Sequence, residues 1–206
     1  MRSCIPKKWG ASNDKMLALW VDVGVTDRMS IFNRAIVALF VLSLPALASS
    51  TVQGIDNFYA VDEHVYRGAQ PTYEGFNYLA KIGVKTVLDL RENHRQSSGE
   101  AQVVASLGMQ YVSVPMTGMT PPTEAEITKI LALLEDGKGG AVFVHCNRGA
   151  DRTGAIIAAY RIDHDHWDDG RALKEALSFG MSPFQEPRQN FIRKFQPLKT
   201  KRLPNP

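Results

Sequence analysis

Ten consecutive residues, His145-Cys146-Asn147-Arg148-Gly149-Ala150-Asp151-Arg152-Thr153-Gly154, place a thiol, a guanidinium and a hydroxyl at fixed spacing with two glycines among them. A thiol is a poor nucleophile until it is a thiolate, and a ring of backbone N–H donors with an arginine favours the charged form. Arg152 stands six positions after Cys146 and, folding back, offers a planar fork of donors to two oxygens of a tetrahedral oxyanion. The substrate implied is a phosphate ester. Attack of sulfur on phosphorus would give a cysteinyl-phosphate that water later hydrolyses, while the loop amides and Arg152 hold the equatorial oxygens through both transition states. Thr153 can donate to the sulfur as it leaves. Gly149 lets the loop turn with φ above zero, and Gly154 lets the following helix pack closely on the strand. The plainer alternative is an inert cysteine in a chance glycine turn.

These residues need a strand, a loop and a helix start. Residues 141–144 are a short apolar run after the breaker 137–140, as expected of a strand buried on both faces, and a helix is expected from 153 to 161. Such a junction converges N–H groups on one point with the positive end of a helix dipole behind them, an anion cradle. Upstream, two short strands are expected at 57–61 and 64–68, then a helix at 73–81 capped by Thr72 with Phe76, Leu79 and Ala80 on one face. A strand at 84–90, a helix at 98–107 and a strand at 109–114 follow. Thr123-Glu124-Ala125-Glu126 has the spacing of a capping box ahead of a helix to about residue 135, with Ile127, Ile130, Leu131 and Leu134 as its apolar stripe. Further helices are expected at 168–179 and 187–195, their Leu173, Leu177, Phe191, Ile192 and Phe195 covering the sheet. The alternation predicts an α/β fold with a parallel-dominated central sheet of four or five strands and helices on both faces. Ligands of such sheets bind beyond the carboxyl ends of the strands, where residue 145 lies.

With 206 residues, 44% of them hydrophobic and 22% charged, the chain is long enough for one domain with a substantial core. A net charge of +3 with dispersed Lys and Arg gives no argument for nucleic acid, and the basic run at 199–202 reads as a solvated end. Residues 29–48 carry a basic residue, about ten apolar residues and a small-x-small site, the form of a secretory signal peptide rather than of a membrane span. Met29 stands where an initiator would, so residues 1–28 read as an over-long start or leader and 49–206 as a single catalytic domain. The expected location is the periplasm or the exterior of a bacterium, with no stable membrane span after signal removal. Cys4 would be lost with the leader, leaving Cys146 without a disulfide partner.

The signature resembles that of the protein tyrosine phosphatase superfamily, His-Cys-x5-Arg-(Ser/Thr)-Gly, most closely its compact dual-specificity branch. Residues 65–71, the strand end Asp89-Leu90-Arg91 and the pair Tyr160-Arg161 are also similar to bacterial exported members. The resemblance implies Cys146 as nucleophile, Arg152 as phosphate clamp, Thr153 as the hydroxyl that assists breakdown of the intermediate and His145 as the residue that orders the loop. The phosphate would sit among Asn147, Arg148, Gly149, Ala150, Asp151 and Arg152. Such a thiolate mechanism needs no cofactor, and His64, His94, His164 and His166 are spaced unlike a metal site. Rhodaneses also carry a loop cysteine, usually in a shorter loop.

One departure stands out. The family supplies a general acid, an Asp on a mobile loop ahead of the cysteine, yet residues 115–122 contain no Asp. Asp151 is the best replacement, because some lipid-directed and bacterial members look similar in placing an Asp immediately before this Arg. A structural role, holding the loop through backbone hydrogen bonds, competes with that one; Glu124 and Glu126 are weaker candidates. Arg67, Arg91, Arg95 and Arg148 are expected to form a basic rim, which suits phosphoinositides and inositol phosphates as well as phosphotyrosine proteins. A weakly active phosphate-binding module that kept the cradle is the reading from another functional class.

Overall fold

A computed structural model describes residue 52 and residues 54–92, 95–136 and 139–198, with 95–98 described by backbone alone. They fall within the compact unit Ser49–Pro206. The expected leader, the signal peptide, Cys4, His94, the breaker residues Gly137 and Lys138, and the basic run 199–202 lie outside the described residues, as does the side chain of Arg95.

Five strands are described: β1 (Tyr59–Ala60), β2 (Val65–Gly68), β3 (Val84–Asp89), β4 (Gln110–Ser113) and β5 (Ala141–His145). Six helices accompany them: α1 (Tyr73–Lys81), α2 (Arg95–Ser106), α3 (Glu124–Glu135), α4 (Asp151–Asp163), α5 (Asp169–Ser178) and α6 (Glu186–Lys194). The sheet order is β1-β2-β5-β3-β4, parallel throughout except for the antiparallel edge strand β1. Alternation along the strands assigns the layers. Val142 and Val144 join Leu88 and Leu90 in one cluster with residues of α3 to α6, whereas Phe143 and Val87 join Phe76 and Leu79 of α1 and Val104 of α2 in the other. The helices therefore cover both faces, as the alternation predicts. Central β5 lies between β2 and β3, the point at which successive crossovers change faces, so its carboxyl end opens into the crevice such sheets use for ligands.

Local chemistry explains most boundaries. Thr72 and Asp168 cap α1 and α5 by accepting from Gly75 N (3.3 Å) and Arg171 N (2.8 Å). The capping box at α3 is complete, with Glu126 N donating to Thr123 Oγ1 (3.3 Å) and Thr123 N to Glu126 (2.7 Å). The structure also corrects several expectations. Strand β1 is only two residues long, because Asn57 turns the chain with φ +55° and spends its side-chain amide on Phe179 O, 3.0 Å away. Helix α2 starts at Arg95 rather than 98, and α4 starts at Asp151 rather than 153, which puts Arg152 inside its first turn. Leu177 is exposed rather than part of the core that covers the sheet. Gly154 does not face the strand: a Cβ there would lie 3.1 Å from Met181 Cε and 3.5 Å from Ala176 Cβ, so the small residue serves the contact with α5. Among the described residues no helix is long and apolar enough to cross a membrane.

Candidate active site

The loop from His145 to Ala150 joins central β5 to α4, and its carbonyl groups are tied off one after another. His145 O accepts from Leu90 N (2.9 Å), Asn147 O from Gln70 N (3.2 Å) and Ala150 O from Gly154 N (2.8 Å). Arg148 O accepts from the Asn57 amide (3.3 Å), Gly149 O from Arg67 Nη2 (2.7 Å), and Cys146 O lies 3.2 Å from His145 Nδ1. With its acceptors engaged, the loop has its N–H groups left to meet an anion. The start of α4 reinforces this, since Ala150 at the N-cap has no side chain that can accept, leaving the orphan N–H groups of the first turn to a ligand. Gly149 is required twice over: its φ is +67°, and a Cβ would fall 2.4 Å from Gly68 C.

Cys146 is 3% exposed at the base of this loop, and Thr153 is fully buried in the first turn of α4 with no hydrogen-bond partner for its Oγ1. An unpaired buried hydroxyl is costly, at about 1–3 kcal/mol, unless it has a task. Arg152 reaches back toward the end of β3, its Nη1 3.4 Å from Leu90 O and 3.5 Å from Met116 O. Those long contacts are weak, so the guanidinium is parked rather than committed. Asn147 and Arg148 are exposed at the mouth, while Gly149 and Ala150 are buried. Asp151 is engaged at both oxygens, accepting from Ser182 N (2.8 Å) and pairing with Arg148. The loop-holding role is thus visible, and Glu126 is occupied by its capping box.

Behind the loop lies a buried ionic network that sequence reasoning did not assemble. Asp89 accepts from Arg91 Nε (2.9 Å), Arg91 Nη2 (2.7 Å) and Tyr111 Oη (2.7 Å), and Arg91 also pairs with Glu100. His145, fully buried, stacks on Phe143 and sets Nε2 2.8 Å from Glu100 Oε1. Asp89, Glu100 and His145 bring oxygen and nitrogen atoms within 4.8 Å of one another. Both carboxylates nevertheless already hold Arg91, so a guanidinium supplies the positive charge that a metal would bring. Burial pushes the Asp89 carboxyl up, but Arg91, His145 and Tyr111 outweigh it and hold the group below its usual range. Burial and the bond to Asp89 push the Tyr111 phenol up. Because Asp89 is lowered on folding, its stabilisation is present above the ordinary carboxyl pKa of about 3.9 and is lost as the pH falls through the lowered value. Asp89→Asn is expected to lose about 3–5 kcal/mol near neutrality together with that share of the acid sensitivity, which denaturant titrations at neutral and acidic pH check.

The expected basic rim is corrected. Arg67 is fully buried, bonded to Gly149 O and seated 4.0 Å over the Phe179 ring; burial lowers its pKa to about 10. Arg91 is locked in the ionic network, so that of the described side chains of that rim Arg148 is at the mouth, itself paired with Asp151. A different arginine enters the site. Arg188 of α6 is 1% exposed, donates to Gly118 O (2.7 Å) and to Gln185 Oε1, and interacts electrostatically with Arg152, Asp151 and Cys146. Burial and the adjacent Arg152 charge lower its pKa. No local spacing announces Arg188; the only sequence signal is a basic residue near the start of an amphipathic helix.

A family model described as DSP-PTPase phosphatase fused to NAD+ kinase matches residues 35–194. The dual specificity protein phosphatase TpbA of Pseudomonas aeruginosa is 31% identical over 154 residues, covering 68% of this chain and 67% of that protein. Among solved structures, the catalytic core of the PP-IP phosphatase SIW14 from S. cerevisiae superposes with a TM-score of 0.63 at 26% identity, covering 71% of this chain and 89% of that one. TpbA in complex with pTyr shares the fold at a TM-score of 0.58 and 24% identity, covering 71% and 92%. Fold and loop define a phosphatase, a hydrolase of phosphate monoesters. The chain belongs to the DSP-PTPase family, the dual-specificity type within the protein tyrosine phosphatase superfamily.

Proposed function

We propose that the chain dephosphorylates phosphotyrosine-bearing proteins through a cysteinyl-phosphate on Cys146. The observation that carries this is the loop itself, with its carbonyls tied outward and an uncapped helix start beside a buried thiol. Sulfur attacks phosphorus as the P–O bond breaks, and the leaving oxygen takes a proton from Asp151. Water then attacks phosphorus, returning a proton to Asp151 as the S–P bond breaks, and the unpartnered Thr153 hydroxyl hydrogen-bonds to the departing sulfur. Arg152 leaves its long carbonyl contacts for two phosphate oxygens in both steps. His145, between the Cys146 carbonyl and Glu100, fixes the loop.

Asp151 as acid has its own test. The carboxyl would have to give up Arg148, an exposed partner in a pair worth little in water. Asp151→Asn is expected to lower kcat about a hundredfold on phosphotyrosine, to spare p-nitrophenyl phosphate, and to flatten the basic limb of the rate profile. A purely structural role lowers both substrates together.

The similarity to SIW14 supports inositol phosphate substrates as a second reading, with phosphoinositides in the same class. Among the described side chains, burial of Arg67 and Arg91 weighs against both, because a polyphosphorylated ring is best held by several free cations at the mouth. Steady-state hydrolysis of a phosphotyrosine peptide, an inositol phosphate and a phosphoinositide by the full chain decides: the highest kcat/KM on the peptide is expected, and preference for either inositol substrate overturns the choice. Turnover too slow to measure on all three would favour a phosphate-binding module. Export is part of the proposal, resting on the pattern at 29–48, and N-terminal sequencing of secreted material should find Ser49 first.

A further inference from the structure

Residues 180–185, between α5 and α6, form a turn held at almost every position. Met181 N donates to Ala176 O (3.1 Å) and Gln185 N to Ser182 O (3.0 Å). Ser182 N donates to Asp151 Oδ1 (2.8 Å), Phe184 N to Ser182 Oγ (3.3 Å), and the Gln189 amide to Ser182 O (3.1 Å) and Pro183 O (3.3 Å). In the middle of this rigid turn Phe184 is 81% exposed. A lone exposed apolar residue is ordinary; one fixed two residues from a hydrogen bond to the phosphate loop is not.

The second loop at the mouth, residues 115–122, presents Met119, 46% exposed. Gly118 before it is held from both sides, its N donating to Glu92 Oε1 (2.9 Å) and its O accepting from Arg188 Nη2 (2.7 Å). The same buried guanidinium bonds Gln185 Oε1, immediately after Phe184. One arginine therefore ties the two loops together, and each shows an apolar side chain one residue from the tie. Arg152, whose Nη1 lies 3.5 Å from Met116 O, connects that loop to the cradle.

We infer that Phe184 and Met119 are specificity-determining residues that receive the aromatic ring of an aryl phosphate, the phosphotyrosine side chain in a protein substrate. An aryl phosphate held in the cradle places its ring one P–O–C link outside it, on the side where the two loops are tied to Asp151 and Arg152. There it can stack on Phe184 and meet the Met119 thioether. A polyol phosphate has no apolar face to offer. The inference rests on Cys146 as nucleophile and deepens it by naming what selects the leaving group.

The test compares kcat/KM for phenyl phosphate and glycerol phosphate in the full chain and in Phe184→Ala, Phe184→Tyr and Met119→Ala. The aryl-over-alkyl ratio is expected to fall about tenfold in Phe184→Ala, carried in KM, to fall less in Met119→Ala, and to return in Phe184→Tyr, which keeps the ring. An unchanged ratio in Phe184→Ala overturns the inference, whether both substrates suffer alike or neither does. So does a larger loss on phosphoinositide vesicles than on phenyl phosphate, which would assign the exposed ring to a lipid surface. Cys146→Ser run alongside separates the failures: turnover surviving there sinks the nucleophile, whereas turnover lost there with an unchanged ratio sinks only the subsite.

Discussion

Cys146→Ser is expected to lower kcat by about five orders of magnitude while leaving phosphate bound. The replacement is nearly isosteric at a site that is 3% exposed, so the loop, its outward-tied carbonyls and the uncapped start of α4 should persist. What disappears is the sulfur that attacks phosphorus and later leaves it again. Calorimetric titration with inorganic phosphate beside steady-state kinetics separates the two effects. Loss of both together would mean that the thiol holds the loop rather than attacking.

Arg152→Lys is expected to cost about a thousandfold in kcat, with a smaller change in KM. Both residues are cationic, but only the guanidinium offers two parallel N–H groups to two oxygens, and that match improves as the phosphoryl group flattens in the transition state. The resting contacts of Arg152 with Leu90 O and Met116 O, at 3.4 and 3.5 Å, leave it free to swing to the ligand. A change confined to KM would show that Arg152 binds substrate without favouring the transition state.

The cradle was legible in the sequence because its information is local. The apolar run of β5, a glycine where φ must be positive and Arg152 at fixed spacing from Cys146 all sit within a dozen residues. The capping box at α3 and the alternation that orders the sheet were legible for the same reason. Arginines were not. Arg67 and Arg91 look like surface cations until Phe179 and Glu100 arrive from distant segments to cover and pair them. Arg188 enters the site only because α6 folds back past the loop it anchors. Gly154 shows the same limit, its small size serving α5 rather than the strand before it. Asp151 was legible as a residue of interest, and the structure adds the partner it must leave to act as an acid, Arg148, and the one that holds its other oxygen, the Ser182 amide.

The central claim is that phosphate passes through sulfur. Mixing the full chain with an aryl phosphate, quenching in acid within one turnover and mapping the phosphorylated peptide by mass tests it most directly. A phosphoryl group on Cys146, absent from Cys146→Ser and accumulating in Thr153→Ala, is the expected result. Phosphate on any other residue, or turnover with no covalent adduct in either protein, would contradict it.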